Sequence, residues 1–283
     1  MPFGISAALL TPFHDNGAIN AELLAAHASQ LLKRGLSGVT PFGTTGEGSA
    51  VTLAERTSVL EAMRRADIPM DRVTLGLAAC AVQDLLDQAH AGYKLGVRTL
   101  LIPPAFYVPN PDNEGIYAWH CELLTGLPQD MSIVLYHIPQ VTGVAIPAEL
   151  ASRLFARFGQ QVRAIKDSSG DLSSARAFLE LNGPEVLIGD ERQLAKAAGE
   201  GASGAISGMA NLYPERMVSL INSCSADEKL NSEVDAVLEH PVVPALKSIM
   251  AARSGKEWAA LRAPLVSLND AAENTLLRAT GDV

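Results

Sequence analysis

The sequence has few cysteines and no long hydrophobic run. Its three cysteines, Cys80, Cys121 and Cys224, are odd in number and far apart. They form neither a disulfide framework nor a Cys-x-x-Cys metal pair, and this usage favours a reducing compartment. No stretch approaches the roughly 18 consecutive apolar residues of a membrane span, and the N-terminal segment carries no basic leader. We therefore expect a cytoplasmic protein without a signal peptide or a membrane segment.

Positive charge is also scarce. Lys and Arg number 22 against 31 Asp and Glu, so the formal net charge is −9. Proteins that bind phosphate backbones usually carry the opposite sign, so nucleic acid is not an expected partner. Hydrophobic residues, by contrast, make up 48% of the 283 residues, which excludes intrinsic disorder and indicates one large globular domain.

Short apolar runs alternate with longer segments of helical period as far as about residue 225. The runs are rich in Val, Ile, Leu and Ala, as expected of parallel strands that helices cover on both faces. Eight such βα units predict an α/β fold, a (β/α)8 TIM barrel. The eight runs are Ile5–Leu10, Gly38–Phe42, Val73–Ala78, Val97–Ile102, Ser132–Tyr136, Val162–Ile165, Val186–Ile188 and Gly204–Ile206.

The segments between the runs predict helices, among them Ala21–Arg34, Leu53–Ala66 and Val82–Leu95. Thr52 with Glu55 three positions later predicts a capping box at the start of the second. The first strand is not followed by a GxGxxG motif, and no GxxxxGK[ST] motif occurs, so nucleotide-binding folds lose their main support.

Residues 226–283 contain no strand-like run and predict two or three amphipathic helices, split near Pro241, Pro244 and Gly255. No linker sets this stretch apart. We expect a catalytic barrel of residues 1–225 and a C-terminal helical extension of residues 226–283 that is not an independent domain.

Two reactive side chains follow neighbouring predicted strands at the edge where barrel enzymes place their chemistry. Tyr136 ends the run SIVLY and Lys166 ends the run VRAIK, one βα unit later. Burial disfavours the charged form of an amine, and a neutral amine can attack a ketone to form a Schiff base. A phenol beside it can relay protons. From position alone, a lysine that reaches solvent or pairs with Asp167, and a core tyrosine, are the favoured interpretations.

The segment GTTGEG, Gly43–Gly48, follows the second strand. Its glycines allow a tight turn whose amides and threonine hydroxyls suit a carboxylate. A plain βα turn with an N-cap is the alternative. Glycine-rich turns also follow the seventh and eighth strands, at Ile188–Glu191 and Ile206–Asn211.

GTTGE at 43–47, YHIPQVTG at 136–143 and IKDSSGD at 165–171 resemble the signatures of the dihydrodipicolinate synthase / N-acetylneuraminate lyase family. The similarity covers residues 5 to about 225 and includes ALLTPF at 8–13 and EGASGAISGMAN at 200–211. This resemblance implies a class I, pyruvate-dependent aldolase, usually a homotetramer, built as a (β/α)8 barrel with a helical tail. It also implies small-molecule partners, a 2-oxo acid and an aldehyde.

The resemblance assigns roles to individual residues. It implies that Lys166 forms the imine and that Tyr136 shuttles protons. Thr44 and Thr45 would hold the substrate carboxylate, with Thr45 also orienting Tyr136. The remaining implied site residues are Tyr107, donated across a dimer interface, and the pocket-lining Ser168, Gly189 and Ser207. Neither a metal nor a dissociable cofactor is needed, because the protonated imine is itself the electron sink.

The pattern departs from the lysine-biosynthetic synthases at Val141, where these normally carry arginine. Without a guanidinium the carboxylate of aspartate semialdehyde loses its bidentate partner, which disfavours 4-hydroxy-tetrahydrodipicolinate synthase activity. Asp190 and Glu191 could bind sugar hydroxyls, as in the sialic acid lyases. We favour a lyase or aldolase acting on pyruvate or a 2-oxo acid such as a 2-keto-3-deoxy sugar acid.

Three alternatives remain open from the sequence. A dehydratase would use the same imine to expel a β-hydroxyl. A binding protein on a retired barrel would sense a 2-oxo acid without turnover, although binding alone needs no nucleophile. A phosphosugar enzyme is disfavoured, because the turns after the seventh and eighth strands carry acids and no Lys or Arg near the strand ends.

Overall fold

Eight parallel strands form a nearly closed barrel in a computed structural model that describes residues 3–108 and 110–282. Their order in the sheet is β2-β1-β8-β7-β6-β5-β4-β3, and a parallel bridge from Val39 to Val73 joins the two outer strands. The predicted (β/α)8 barrel is confirmed. The strands are β1 (Gly4–Ala8), β2 (Gly38–Thr40), β3 (Thr74–Gly76), β4 (Thr99–Ile102), β5 (Ser132–His137), β6 (Val162–Asp167), β7 (Glu185–Ile188) and β8 (Gly204–Ser207).

Helices connect successive strands, and strand residues are buried on both faces, as the continuous apolar runs predicted. The capping box is confirmed: the Thr52 amide donates to Glu55 Oε2 at 2.9 Å and the Glu55 amide to Thr52 Oγ1 at 3.3 Å. The helices of the barrel are α1 (Ala21–Lys33), α2 (Leu53–Arg65), α3 (Val82–Lys94), α4 (Asn113–Gly126), α5 (Pro139–Thr142), α6 (Ala148–Phe158), α7 (Leu172–Leu179), α8 (Glu191–Gly199) and α9 (Pro214–Ser223).

Three helices follow the barrel: α10 (Glu228–Leu238), α11 (Val242–Ser254) and α12 (Asp270–Thr280). Two of the expected break points are right, since Pro241 is the N-cap of α11 and Gly255 its C-cap. The break expected at Pro244 is wrong, because this proline lies in the first turn of α11. A first turn tolerates proline, since its amides have no partner within the helix. In the described part of the chain, no helix is long and apolar enough to cross a membrane.

The segment after α11 anchors the extension to the barrel through Trp258, which is only 1% exposed. The Trp258 ring meets the ring of His27 on α1 edge to face, with centroids 4.9 Å apart. Aromatic side chains in such contacts contribute large buried apolar areas. The extension therefore shares a core with the barrel.

Replacing Trp258 with alanine should destabilise the whole chain by about 3–5 kcal/mol, because it removes a large buried side chain and leaves a cavity. Urea unfolding followed by circular dichroism should show one transition at lower urea. The control Val266→Ala, at a position 75% exposed, should change stability by less than about 0.5 kcal/mol. A Trp258→Ala profile with an unshifted barrel transition and a separate extension transition would show that residues 226–283 fold independently.

Candidate active site

Tyr136 and Lys166 lie side by side at the carboxyl ends of β5 and β6. The two residues are direct partners in the strand register, so their side chains leave the same face of the sheet. Lys166 Nζ donates a hydrogen bond to the Tyr136 hydroxyl at 3.1 Å, and the residues are 5% and 4% exposed. Within the described residues Lys166 makes no salt bridge, so neither a solvent-exposed lysine nor a pair with Asp167 is found.

The groups around the Tyr136 phenol lower its pKa. Burial by itself raises the pKa of this phenol, but the Lys166 charge and hydrogen bonds with Thr44, Lys166 and Ser168 lower it by more. The net result is a Tyr136 pKa below the ordinary value of 10.0. A phenol with a lowered pKa gives up its proton more readily, which suits it to proton transfer.

The Gly43–Gly48 loop carries two threonines that lie near Tyr136 and Lys166 but point in different directions. Thr44 Oγ1 lies 3.4 Å from the Tyr136 hydroxyl, whereas the Thr45 side chain lies beside Gly208. The structure thus gives Thr44 the contact with Tyr136 that we had expected of Thr45, because successive residues of a tight turn project in different directions. Among the described residues, the backbone amides of Thr44 and Thr45 donate no hydrogen bond, while those of Gly46, Glu47 and Gly48 close the turn.

A cavity of about 570 Å³ opens above these groups and brings together most of the predicted site. Gly189 sits so close to Ser168 that a Cβ there would lie 1.9 Å from the Ser168 hydroxyl, so only glycine fits. A second cavity of about 240 Å³ adjoins it and shares Thr44, Tyr136 and Val141. The predicted residues that line the larger cavity are Thr44, Thr45, Tyr136, Lys166, Ser168 and Gly189.

Two acids line the same cavity at the start of α8. Asp190 is the N-cap of α8 and is held by Arg192 at 2.7 Å. Glu191 is half-buried, and burial raises the pKa of its carboxyl. Ser207, which we had expected in the pocket lining, instead lies beneath Glu191 and donates to its Oε1 at 2.5 Å. It is 1% exposed, so its role is to hold Glu191.

The extension supplies a wall of the cavity that sequence reasoning missed. Apolar residues of α10 and α11 line this cavity, and α10 is joined to α8 by the Arg192–Asp235 ion pair. An amphipathic pattern shows that a helix has a buried face but does not show what that face covers. The apolar wall consists of Val234, Val237, Leu238, Val242, Val243 and Leu246.

Two sequence predictions concern residues at or beyond the rim. Val141 on α5 is 61% exposed and lines both cavities, so the position lies within reach of a bound molecule. Tyr107 is 94% exposed and lines neither cavity, whereas its neighbour Phe106 lines the smaller one. Tyr107 is therefore outside the site of its own chain. Across residues 3–108 and 110–282, no three His, Cys, Asp or Glu side chains are grouped to hold a metal ion.

The phenol of Tyr136 should titrate below pH 10 in the free protein, as measured by phenolate absorbance relative to the Tyr136→Phe variant. Subtracting that variant isolates one of five tyrosines. Lys166→Met should raise this pKa, because it removes the cation and leaves the burial that disfavours the phenolate. The control Lys196→Met, on the exposed side of α8, should leave it unchanged. An identical titration in wild type and Lys166→Met would contradict the proposed coupling.

Comparison with known proteins gives a consistent result. The sequence profile of the dihydrodipicolinate synthetase family matches residues 1–280. An uncharacterized DapA-like lyase of Chloroflexus aurantiacus is 35% identical over 95% of this chain and 93% of its own. A 4-hydroxy-tetrahydrodipicolinate synthase of Porphyromonas gingivalis is 30% identical over 99% of this chain and 97% of its own.

The fold comparison agrees with the sequence comparison. The crystal structure of dihydrodipicolinate synthase from Agrobacterium tumefaciens superposes with a TM-score of 0.95. It is 34% identical and the match covers 99% of this chain and 98% of that one. With a family match over nearly its whole length and relatives of this similarity, the chain belongs to the dihydrodipicolinate synthetase family and is an enzyme of the lyase class.

Proposed function

We propose that this lyase forms or cleaves a carbon–carbon bond through an imine between Lys166 and pyruvate or a related 2-oxo acid. The observation that carries the proposal is the buried contact between Lys166 Nζ and the Tyr136 hydroxyl at 3.1 Å. Among the described residues Lys166 has no carboxylate partner, and the Tyr136 phenol of lowered pKa beside it is placed to exchange protons with the reacting groups. Imine formation without a metal needs a lysine amine as the nucleophile.

The steps follow from these positions. The neutral Lys166 amine attacks the C2 ketone, and the carbinolamine loses water to give a protonated imine. The Tyr136 phenolate takes up a C3 proton to give an enamine, whose C3 attacks the aldehyde carbon while the Tyr136 phenol passes that proton to the aldehyde oxygen. Water then releases the product and the free amine. Cleavage of a 4-hydroxy-2-oxo acid is the same sequence in reverse, and the protonated imine serves as the electron sink without an external cofactor.

The Gly43–Gly48 loop is the proposed carboxylate site. Thr44 and Thr45 both line the cavity beside Lys166, and among the described residues their backbone amides donate no hydrogen bond. Several donors from one turn can hold a carboxylate and fix the ketone near the amine. In this arrangement Thr44 binds the substrate carboxylate and also contacts the Tyr136 hydroxyl. Substrate binding is thereby coupled to proton transfer.

The rest of the substrate should be uncharged and hydroxylated. Among the described residues lining the larger cavity the cations are Lys166 and Arg192, and Arg192 is already paired with Asp190 and Asp235. Among these described lining residues, no cation therefore remains for a second carboxylate. Glu191 offers a carboxyl to a hydroxyl group, and the wall from α10 and α11 suits carbon–hydrogen surface. These features favour an uncharged aldehyde or a sugar-acid chain over aspartate semialdehyde, which brings a carboxylate of its own.

The proposal also covers assembly and location. Tyr107 and Val108 are highly exposed beside Phe106 at the smaller cavity, which supports a homotetramer in which Tyr107 reaches the site of a neighbouring subunit. Three free cysteines, two of them exposed, support a cytoplasmic location.

Borohydride reduction in the presence of pyruvate should add one pyruvate-derived group to wild-type protein, located at Lys166 by peptide mass spectrometry. Lys166→Met should abolish the adduct, because the nucleophile is gone. Tyr136→Phe should slow trapping by about 10²-fold or more, because it removes the proton relay.

The matched control is Lys196→Met, which removes a surface lysine and should leave the adduct yield unchanged. Wild-type protein that stays unmodified at saturating pyruvate, while remaining folded, would refute the imine mechanism. An adduct at another lysine that persists in Lys166→Met would refute the assignment.

Val141→Arg should raise activity with aspartate semialdehyde, measured as kcat/KM for pyruvate consumption, by about tenfold or more. A guanidinium at this rim position would pair with the carboxylate that finds no cation in the parent protein. Val141→Leu, of similar bulk without charge, should not change it. Efficient turnover of aspartate semialdehyde by the parent, with no gain in Val141→Arg, would contradict the proposed neutral substrate.

A further inference from the structure

A buried ion pair joins the C-terminal extension to the loop that carries Thr44 and Thr45. Lys247 on α11 donates to Glu47 Oε1 at 2.5 Å, and the two side chains are 1% and 2% exposed. The residues are 200 positions apart in the sequence. Neither lines a cavity, so the pair has no direct part in the chemistry.

Both partners are held by further contacts from the extension. Lys247 Nζ also donates to the Ala260 carbonyl at 2.5 Å, and the other Glu47 oxygen accepts from the Arg262 amide at 2.9 Å. The Phe13 ring packs against both cations, 4.4 Å from Lys247 Nζ and 4.7 Å from the Arg262 guanidinium. Glu47 is therefore fixed at both carboxylate oxygens.

The backbone at Glu47 needs such a restraint. Its φ of 55° lies in the left-handed region, which a glutamate adopts only when its surroundings impose it. Its amide closes the turn by donating to the Thr44 carbonyl at 3.2 Å. Glu47 is thus hydrogen-bonded directly to Thr44, which contacts Tyr136.

Stability alone does not account for the pair. A buried ion pair is often no more stabilising than apolar residues of similar volume, because both ions lose their hydration. What charged partners add is direction, since hydrogen bonds fix the angle and distance of a carboxylate in a way that apolar contacts do not.

We propose that Lys247 and Glu47 are positioning residues, through which the extension sets the placement of Thr44 and Thr45 for the carboxylate and for Tyr136. The expected effect on the rate of imine formation rests on the proposed function. The expected effect on the order of the Gly43–Gly48 loop, which α11 holds in place, is independent of the proposed function.

The test compares Lys247→Met, the double variant Glu47→Gln/Lys247→Met and the control Arg253→Met. Arg253 lies on the same helix and pairs with Asp282 at 2.5 Å, but it contacts the segment after β8 and not the threonine loop. The double variant leaves no unpaired buried charge, so it keeps the experiment informative if Lys247→Met does not fold. Hydrogen–deuterium exchange of the peptide containing residues 43–52 reports loop order without any substrate.

We expect faster exchange in this peptide for both Lys247 variants, and borohydride trapping with pyruvate slowed by about tenfold or more. The double variant should keep these defects even where its melting temperature recovers. Arg253→Met should match wild type in both measurements. Wild-type exchange and trapping in a folded double variant would overturn the inference. Loosened exchange together with an untrappable wild type would instead refute the proposed function and leave the loop restraint standing.

Discussion

The hydrogen bond between the Lys166 amine and the Tyr136 phenol is the contact on which the rest of the site depends. The Lys166 charge and the hydrogen bonds around the phenol lower the pKa of Tyr136 despite its burial. The contact exists because the two residues are register partners on adjacent parallel strands. A shift of one residue in either strand would turn one side chain to the outer face of the barrel.

The strands place the reacting pair, and loops complete it. Thr44 comes from the turn after β2, Ser168 and Gly189 from the turns after β6 and β7, and the acids from the start of α8. The carboxyl ends of all these strands meet at one end of the barrel, so short turns are enough to gather residues from distant parts of the chain. The extension adds an apolar wall to the cavity. Its Lys247 also forms an ion pair with the Glu47 carboxylate.

The cations that line the larger cavity differ in whether a carboxylate already pairs with them. Among the described residues that line it, the cations are Lys166 and Arg192, and Arg192 is already paired with Asp190 and Asp235. This difference between the two cations supports the proposed substrate with a single charged end. Val141, at the boundary of both cavities, is where a different side chain would change that preference.

The sequence by itself determined the barrel, because alternating buried runs and helical periods are local patterns that leave few folds available. It also determined the pairing of Tyr136 with Lys166, because strand ends in a parallel barrel share one edge and the motifs mark both residues. Only the tertiary structure decided that Thr44 and not Thr45 contacts Tyr136, that Ser207 supports Glu191 from beneath, and that α10 and α11 line the cavity. These depend on turn geometry and on packing between segments as many as 200 residues apart, which no local pattern records.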